Sequence, residues 1–333
     1  MPELRLNPVT REWVIIATER AKRPMEFKTQ YLQRPGQPPY LATCPFCAGN
    51  ESKTPEEHLR LADASGWRIR VVANKYPAVA SDGERIRKQD GIKKTVSGVG
   101  VHEVIIEHQR HNLSTALFDQ KHFEDIVSVY KNRFVEAYRD PRVEHVIIFK
   151  NHGESAGTTV VHPHTQLIAT PVVPVQFRDR VQAAMHYFDD TGDCLMCAII
   201  KRERDEKIRV VVDTDNFLSF IPYAALSPFH LWIFPKRHSA AFSNISVDES
   251  KELAYHLKTV LLKVYWGLDD PDYNFVIRSS RPQDAGNEYC HWYISIVPRL
   301  TKSAGFEIGS GMYINTSLPE ESAEFLRAAK TSE

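Results

Sequence analysis

One ligand order occurs twice in this chain and limits what it can fold into. Cys44-Pro45-Phe46-Cys47 is followed by His111 and His162, and Cys194-Leu195-Met196-Cys197 by His238 and His291. His111 to His162 spans 51 residues and His238 to His291 spans 53. A Cys-x-x-Cys turn offers two thiolates from one tight loop, and two imidazoles complete the tetrahedral set that zinc prefers. The spacing predicts two closed sites, Cys44, Cys47, His111, His162 and Cys194, Cys197, His238, His291, both structural because four protein ligands leave no open position for water. Zinc is expected at both, with iron an option at the second. Pro-Phe and Leu-Met between the cysteines argue against redox dithiols.

The segments around the ligands repeat as well. His102 to His111 lies without gaps on Phe229 to His238, an offset of 127, each an apolar run ending in a basic turn and a His. Between the two His of each series comes a helix and then a strand. Phe123, Ile126, Val127, Tyr130, Phe134 and Tyr138 share one helical face, as do Leu253, Leu257, Val260, Leu261 and Val264. The following strands are expected at Glu144 to Phe149 and Asn274 to Ile277, and matching strand-turn segments at Arg70 to Ala78 and Phe217 to Ala225 precede the first His. The fold class is therefore α+β: two related units, each an antiparallel sheet with one long helix against it, joined near residues 170–190. Segments 30–39 and 82–100 lack periodicity and are expected to be exposed loops.

A chain of 333 residues suffices for two such cores. Its 42 basic and 42 acidic side chains balance, so no global field draws it to nucleic acid or to an anionic membrane. No apolar run approaches the ~18–20 residues of a membrane span, and Met1 to Leu6 has no signal-peptide character, which places the protein in the cytoplasm, where thiolates hold metal rather than disulfides.

Only the first copy adds a reactive ending, His162-Pro163-His164-Thr165-Gln166. His162 belongs to the first metal set, which leaves His164 to serve a pocket. A neutral imidazole attacks phosphorus well, and its adduct splits one hard displacement into two easier ones. The other ring nitrogen then keeps its proton on a backbone carbonyl. Gln166, on the same face as His164, is placed to donate amide hydrogens to a phosphate oxygen. Gly153 to Thr159, including Gly157, Thr158 and Thr159, offers amides and hydroxyls for a phosphate cradle.

With these motifs in view, the chain resembles the galactose-1-phosphate uridylyltransferases of the histidine-triad superfamily. The likeness runs from Asn7-Pro8-Val9-Thr10-Arg11-Glu12-Trp13 and Arg20-Ala21-Lys22-Arg23-Pro24 through the first Cys pair, Asn74, His111 and Asn151 to His-Pro-His-x-Gln. It implies two tandem histidine-triad-like domains with pseudo-symmetry: 1–175 carrying the nucleophile, and 176–333 catalytically degenerate, with hexose-binding and dimer roles. It further implies a ping-pong reaction in galactose metabolism, in which His164 takes UMP from UDP-glucose and passes it to galactose 1-phosphate. Gln166 would steady the intermediate, Thr159 would stand where a phosphate-binding Ser is usual, and Thr158 would replace a Cys. Arg20 and Arg23 would reach phosphates across a homodimer with shared active sites, and Asn74 and Asn151 would line the nucleotide pocket. Tyr293 replaces the nucleophile in the second copy, which would make that copy a scaffold.

The likeness departs at the hexose-binding stretch. Phe306, Ile308 and Gly309 fit the pattern, whereas Gly305, Ser310 and Gly311 stand where the family carries polar side chains. Together with the Cys-based second metal site, this resembles the branch that includes plant ADP-glucose phosphorylase, so an ADP-glucose or dinucleotide phosphorylase is the alternative activity. A nucleoside phosphoramidate hydrolase is disfavoured because an amide at Gln166 cannot act as a general acid or base. A zinc-stabilised nucleotide-binding protein without turnover is the alternative of another class.

Overall fold

The computed structural model describes residues 1–17, 25–27 and 36–332. Arg20 and Arg23, with part of segment 30–39, lie outside the described residues. In chain order, β1 (Glu3–Leu6) and β2 (Trp13–Ile16) form a hairpin. The first unit follows: β3 (Glu57–Asp63), β4 (Gly66–Ala73), β5 (Arg87–Asp90), β6 (Lys93–Val96), β7 (Val101–Ile106), α1 (Gln120–Ala137), β8 (His145–His152) and β9 (His164–Thr170). Helices α2 (Val175–Thr191) and α3 (Leu195–Glu206) lead into β10 (Val210–Asp213), β11 (Phe217–Phe220), β12 (Leu231–Pro235), α4 (Val247–Leu268), β13 (Tyr273–Arg278) and β14 (Tyr293–Pro298). The chain closes with α5 (Gly305–Ser310), β15 (Tyr313–Asn315) and α6 (Pro319–Ala328).

The fold is α+β with two tandem antiparallel units, and the units share one sheet. Its ten strands run β10-β11-β12-β14-β13-β8-β9-β7-β4-β3. The order β3-β4-β7-β9-β8 recurs as β10-β11-β12-β14-β13, so the halves meet edge to edge where β8 and β13 pair antiparallel, from His152 opposite Tyr273 to Ile148 opposite Ile277. Pairing the two edges satisfies backbone groups that two separate sheets would each leave open.

Helices α1 and α4 cover one face. Asp119 caps α1 by accepting from the His122 N–H at 2.7 Å, and Ser246 with Glu249 forms a capping box on α4. Their apolar stripes bury Phe123, Ile126, Tyr130, Leu253, Leu257 and Leu261 in a single core with Ile105, Leu231, Phe275 and Ile294 of both sheet halves. Because strand side chains alternate, Val104 and Ile106, or Trp232 and Phe234, stand on the opposite face, where the metal ligands also gather.

Three features go beyond the expected layout. The connection near 170–190 is largely the helix α2, and segment 82–100 contains the hairpin β5–β6. The N-terminal hairpin lies on the second half: β2 pairs in parallel with β15, Asn7 Nδ2 donates to Ala224 O at 3.1 Å, and Arg5 Nη1 donates to Tyr223 O at 2.9 Å and pairs with Glu320 at 2.8 Å. These contacts join residues more than 200 positions apart, beyond the reach of local patterning.

The gap-free repeat is also off by one residue. Val104 pairs with Gln166 and Trp232 with Ser295, and Gln166 and Ser295 each lie two residues beyond His164 and Tyr293. Within the strand the offset is therefore 128, so His102 corresponds to His230. A one-residue slip would turn every side chain to the wrong face. The offset returns to 127 at the ligand His111 and His238. The first half thus carries one additional residue after Ile106.

Candidate active site and metal centres

Ligand atoms of Cys44, Cys47, His111 and His162 all lie within 4.8 Å of one another, as do those of Cys194, Cys197, His238 and His291. In the first group Cys47 Sγ is 3.6 Å from Nδ1 of both His111 and His162, and Cys44 Sγ is 3.8 Å from His162 Nδ1. In the second, Cys197 Sγ is 3.5 Å from His238 Nδ1 and 3.7 Å from His291 Nδ1. His162 Nε2 donates to His108 O at 2.6 Å, and His291 Nε2 donates to Pro235 O at 3.0 Å. A carbonyl accepts only from N–H, so each ring turns its Nδ1 lone pair toward the thiols, the arrangement a metal-binding imidazole requires. His238 repeats it through Asn287 O at 2.9 Å. The Leu41 N–H points at Cys47 Sγ at 3.4 Å, and Asn50 Nδ2 holds Cys44 O at 2.8 Å, which fixes the Cys loop. Two thiols, two oriented imidazoles and second-shell acceptors fit a tetrahedral cation at each site, with zinc favoured by the donor set.

The same loop reaches the reacting histidine. Phe46, between the cysteines, packs its ring edge-on against His164 at 5.4 Å and lies 6.1 Å from His162. His164 opens β9, is 7% exposed, and donates from Nδ1 to His162 O at 2.8 Å. Nε2 therefore carries the lone pair. Burial lowers the His164 pKa, and Lys150 adds to the effect against the opposing bond to His162, so the ring is neutral at physiological pH.

Gln166 is oriented by His102, which sequence patterning did not single out as a site residue, and by Asn74, which was expected in the nucleotide pocket. His102 Nδ1 accepts from the Ala78 N–H at 3.0 Å, so its Nε2 carries the proton and donates to Gln166 Oε1 at 3.0 Å. Asn74 Oδ1 accepts from the Tyr76 N–H at 2.8 Å, which turns the Asn74 amide nitrogen toward Gln166 Oε1 at 3.5 Å. With its oxygen engaged, Gln166 presents its NH2 group as a donor on the face it shares with His164.

Behind His164 lies a buried ion pair. Lys150 Nζ is 2.6 Å from Glu107 Oε2 and donates to His164 O at 3.0 Å; Lys150 is 1% exposed and Glu107 fully buried. Glu107 also accepts from Thr115 (2.9 Å), Thr165 (2.6 Å) and Tyr130 (2.8 Å). Only an ionised carboxylate accepts so many donors. Burial alone would raise its pKa, yet Lys150 and these hydroxyls hold it down at about 2. The additional residue after Ile106 is this carboxylate, since His108 O and Pro235 O hold the corresponding ligands His162 and His291, and in the second half the buried Ile277 and Ile294 take the places of Lys150 and Thr165. A buried charge has a sequence signal only in hindsight, as a Glu ending an apolar run.

Asn151 Oδ1 accepts from Asn274 Nδ2 at 2.8 Å across the junction of the halves. In the glycine loop, Gly153 and Gly157 have φ of 87° and 88°, a region open to glycine. Thr158 Oγ1 donates to Val160 O at 3.0 Å, Ser155 Oγ is engaged by Asp272, and the N–H groups of Ser155, Ala156, Gly157 and Thr158 are bonded to Asp272, Gly153, Glu154 and Gly153, so of the expected cradle the exposed Thr159 keeps its hydroxyl toward solvent. Phe306, Ile308 and Gly309 lie together on α5, away from His164 in sequence and on the second half; Phe306 is 46% and Ile308 80% exposed.

Comparison with known proteins agrees with this architecture. The family described as galactose-1-phosphate uridyl transferase, N-terminal domain, matches residues 1–174, and its C-terminal domain matches residues 180–326. ADP-glucose phosphorylase of Arabidopsis thaliana is 37% identical over 98% of this chain and 92% of its own length. Galactose-1-phosphate uridylyltransferase of Thermotoga maritima is 28% identical over 98% of both. The crystal structure of the Arabidopsis ADP-glucose phosphorylase with bound ADP-glucose superposes with a TM-score of 0.83 at 32% identity, covering all of both chains. A uridylyltransferase structure, at TM-score 0.75 and 23% identity over 98% of both chains, shares the fold.

Proposed function

The chain belongs to the galactose-1-phosphate uridyl transferase family and is a nucleotidyltransferase, and from that premise we propose that it transfers the adenylyl group of ADP-glucose to inorganic phosphate through His164. His164 Nε2 attacks the α-phosphorus, the bond to the bridging oxygen breaks, and glucose 1-phosphate leaves. A phosphate oxygen then attacks the same phosphorus, the N–P bond breaks, and ADP forms. The proton stays on Nδ1, hydrogen-bonded to His162 O, throughout, so the adduct is a cationic imidazolium and a good leaving group. Gln166, its oxygen tied to His102, directs its NH2 to the non-bridging oxygens, where charge builds in each transition state. A cation held by Cys44, Cys47, His111 and His162 would stiffen the strand that presents the nucleophile; no chemical step passes through it.

The observation that carries the choice of acceptor is on α5. Gly305 and Gly311 have no side chain for a hexose, and the Ser310 hydroxyl donates to Phe306 O at 2.6 Å within its own helix. The 37% identity to an ADP-glucose phosphorylase supports the same choice. The second reading, uridylyl transfer from UDP-glucose to galactose 1-phosphate, is favoured by the family match and the Thermotoga relative. A homodimer with shared sites, zinc in both centres and a cytoplasmic place complete the proposal.

Incubation with ADP-glucose or UDP-glucose, each with phosphate or galactose 1-phosphate, separates the readings by release of glucose 1-phosphate. ADP-glucose with phosphate is expected to be fastest. UDP-glucose with galactose 1-phosphate as the fastest pair would replace the first reading by the second. His164→Ala should take up no label from nucleotide-labelled donor; labelling of that variant would remove the nucleophile.

A further inference from the structure

Duplication leaves a second pocket at the place in the C-terminal half that corresponds to the reacting site. A cavity of about 510 Å³ opens on the sheet face away from α4, within the size range of small-ligand sites. Tyr293 stands there in the place of His164, Ser295 in that of Gln166 and His230 in that of His102. Phe149 pairs with Gln166 and Val276 with Ser295, so two residues further on Arg278 occupies the place of Asn151.

The lining asks for a charged, hydroxylated ligand. Arg278 makes no side-chain hydrogen bond and no ion pair among the described residues, and burial lowers its pKa. Arg180, on α2, keeps Nε buried without a partner; its Nη1 donates to Gln176 O at 2.6 Å. His230 is 4% exposed, and Trp232 donates to its Nε2 at 3.2 Å, so the proton is on Nδ1, which has no partner. Four arginine and lysine side chains line the cavity against two glutamates. One of these, Glu12, has Oε2 buried and unpaired, an acceptor suited to a sugar hydroxyl. Trp232 and Tyr293 supply ring faces. Unpaired buried donors and acceptors are costly unless something meets them. A phosphate meets the guanidinium groups in bidentate geometry, and a sugar ring meets the carboxylate and the aromatic wall.

We propose that this cavity is a second, non-reacting binding site for a phosphorylated sugar, either a hexose phosphate or a nucleotide. Tyr293 offers no ring nitrogen for transfer, so the ligand is held and not consumed. Phe306 and Glu307, in the stretch at which the resemblance places hexose contacts, also line this cavity; the site proposed here rests on the duplication and on Arg278, Arg180 and Glu12.

Equilibrium dialysis of the full chain with labelled glucose 1-phosphate, ADP or inorganic phosphate tests it. The expected result is two saturable sites per chain for glucose 1-phosphate or ADP, both retained in His164→Ala, of which Arg278→Met and Arg180→Ala each weaken one about tenfold or more and leave the other unchanged. The arm that binds more tightly identifies hexose phosphate or nucleotide. Should Arg278→Met fail to fold, judged by its melting curve, Arg180→Ala on the edge helix decides alone. Binding unchanged in the folded arginine variants, loss of all binding in His164→Ala, or inorganic phosphate binding as tightly as both esters would each overturn the proposal.

Discussion

His164 has one free nitrogen because a single carbonyl, His162 O, holds the other at 2.8 Å, while burial disfavours the charged ring. His102 does the corresponding work for Gln166. His102→Ala should therefore free the amide to rotate, lowering kcat by about tenfold or more with a smaller change in KM; equal loss in both parameters would assign His102 to binding instead. Glu107 gives the clearest stability prediction. Glu107→Gln leaves the Lys150 ammonium buried without its counter-charge and should cost about 3–5 kcal/mol, read from denaturant unfolding. The pH dependence follows from the sign of the shift. The carboxyl lies at about 2 in the folded chain against an ordinary 4.5, so its contribution is complete above about 4.5 and lost as pH falls toward 2. The melting temperature of the wild type should drop across that window by more than that of Glu107→Gln.

Elements place these groups through alternation and capping. Strand β9 begins at the reacting histidine, so the metal ligand His162 lies just outside the sheet and His164 just inside it. The Cys loop carries Phe46 onto His164, which makes the metal centre a support for the nucleophile's ring. Chelation, or Cys47→Ala, should lower the melting temperature and slow label uptake at His164 together; stability lost with labelling intact would uncouple the two. Helix α4 depends on its capping box, and Ser246→Ala should cost about 1 kcal/mol of stability with no change in labelling.

At the scale of the molecule, one core passes beneath both halves, and β8 pairs with β13 along the whole junction. Residues 176–333 expressed alone would lack β1 and β2 and expose β13, and are expected to aggregate or to pair through that edge, as size-exclusion chromatography would show. The repeated ligand order in the sequence was enough to place both Cys2His2 groups, and the 3.6-residue periodicity to place α1 and α4, because ligand chemistry and helical burial are written in local spacing. The shared face of His164 and Gln166 is likewise legible, because residues two apart on a strand point the same way. Local spacing is silent about contacts between distant segments. The register that makes His102 and not Glu103 the partner of His230, the pairing of Lys150 with Glu107, the seat of the N-terminal hairpin on the second half and the cavity beside Tyr293 each depend on which strand lies beside which. Those neighbours are chosen by hydrogen-bond register and shared burial across the folded chain, and only the tertiary structure decides them.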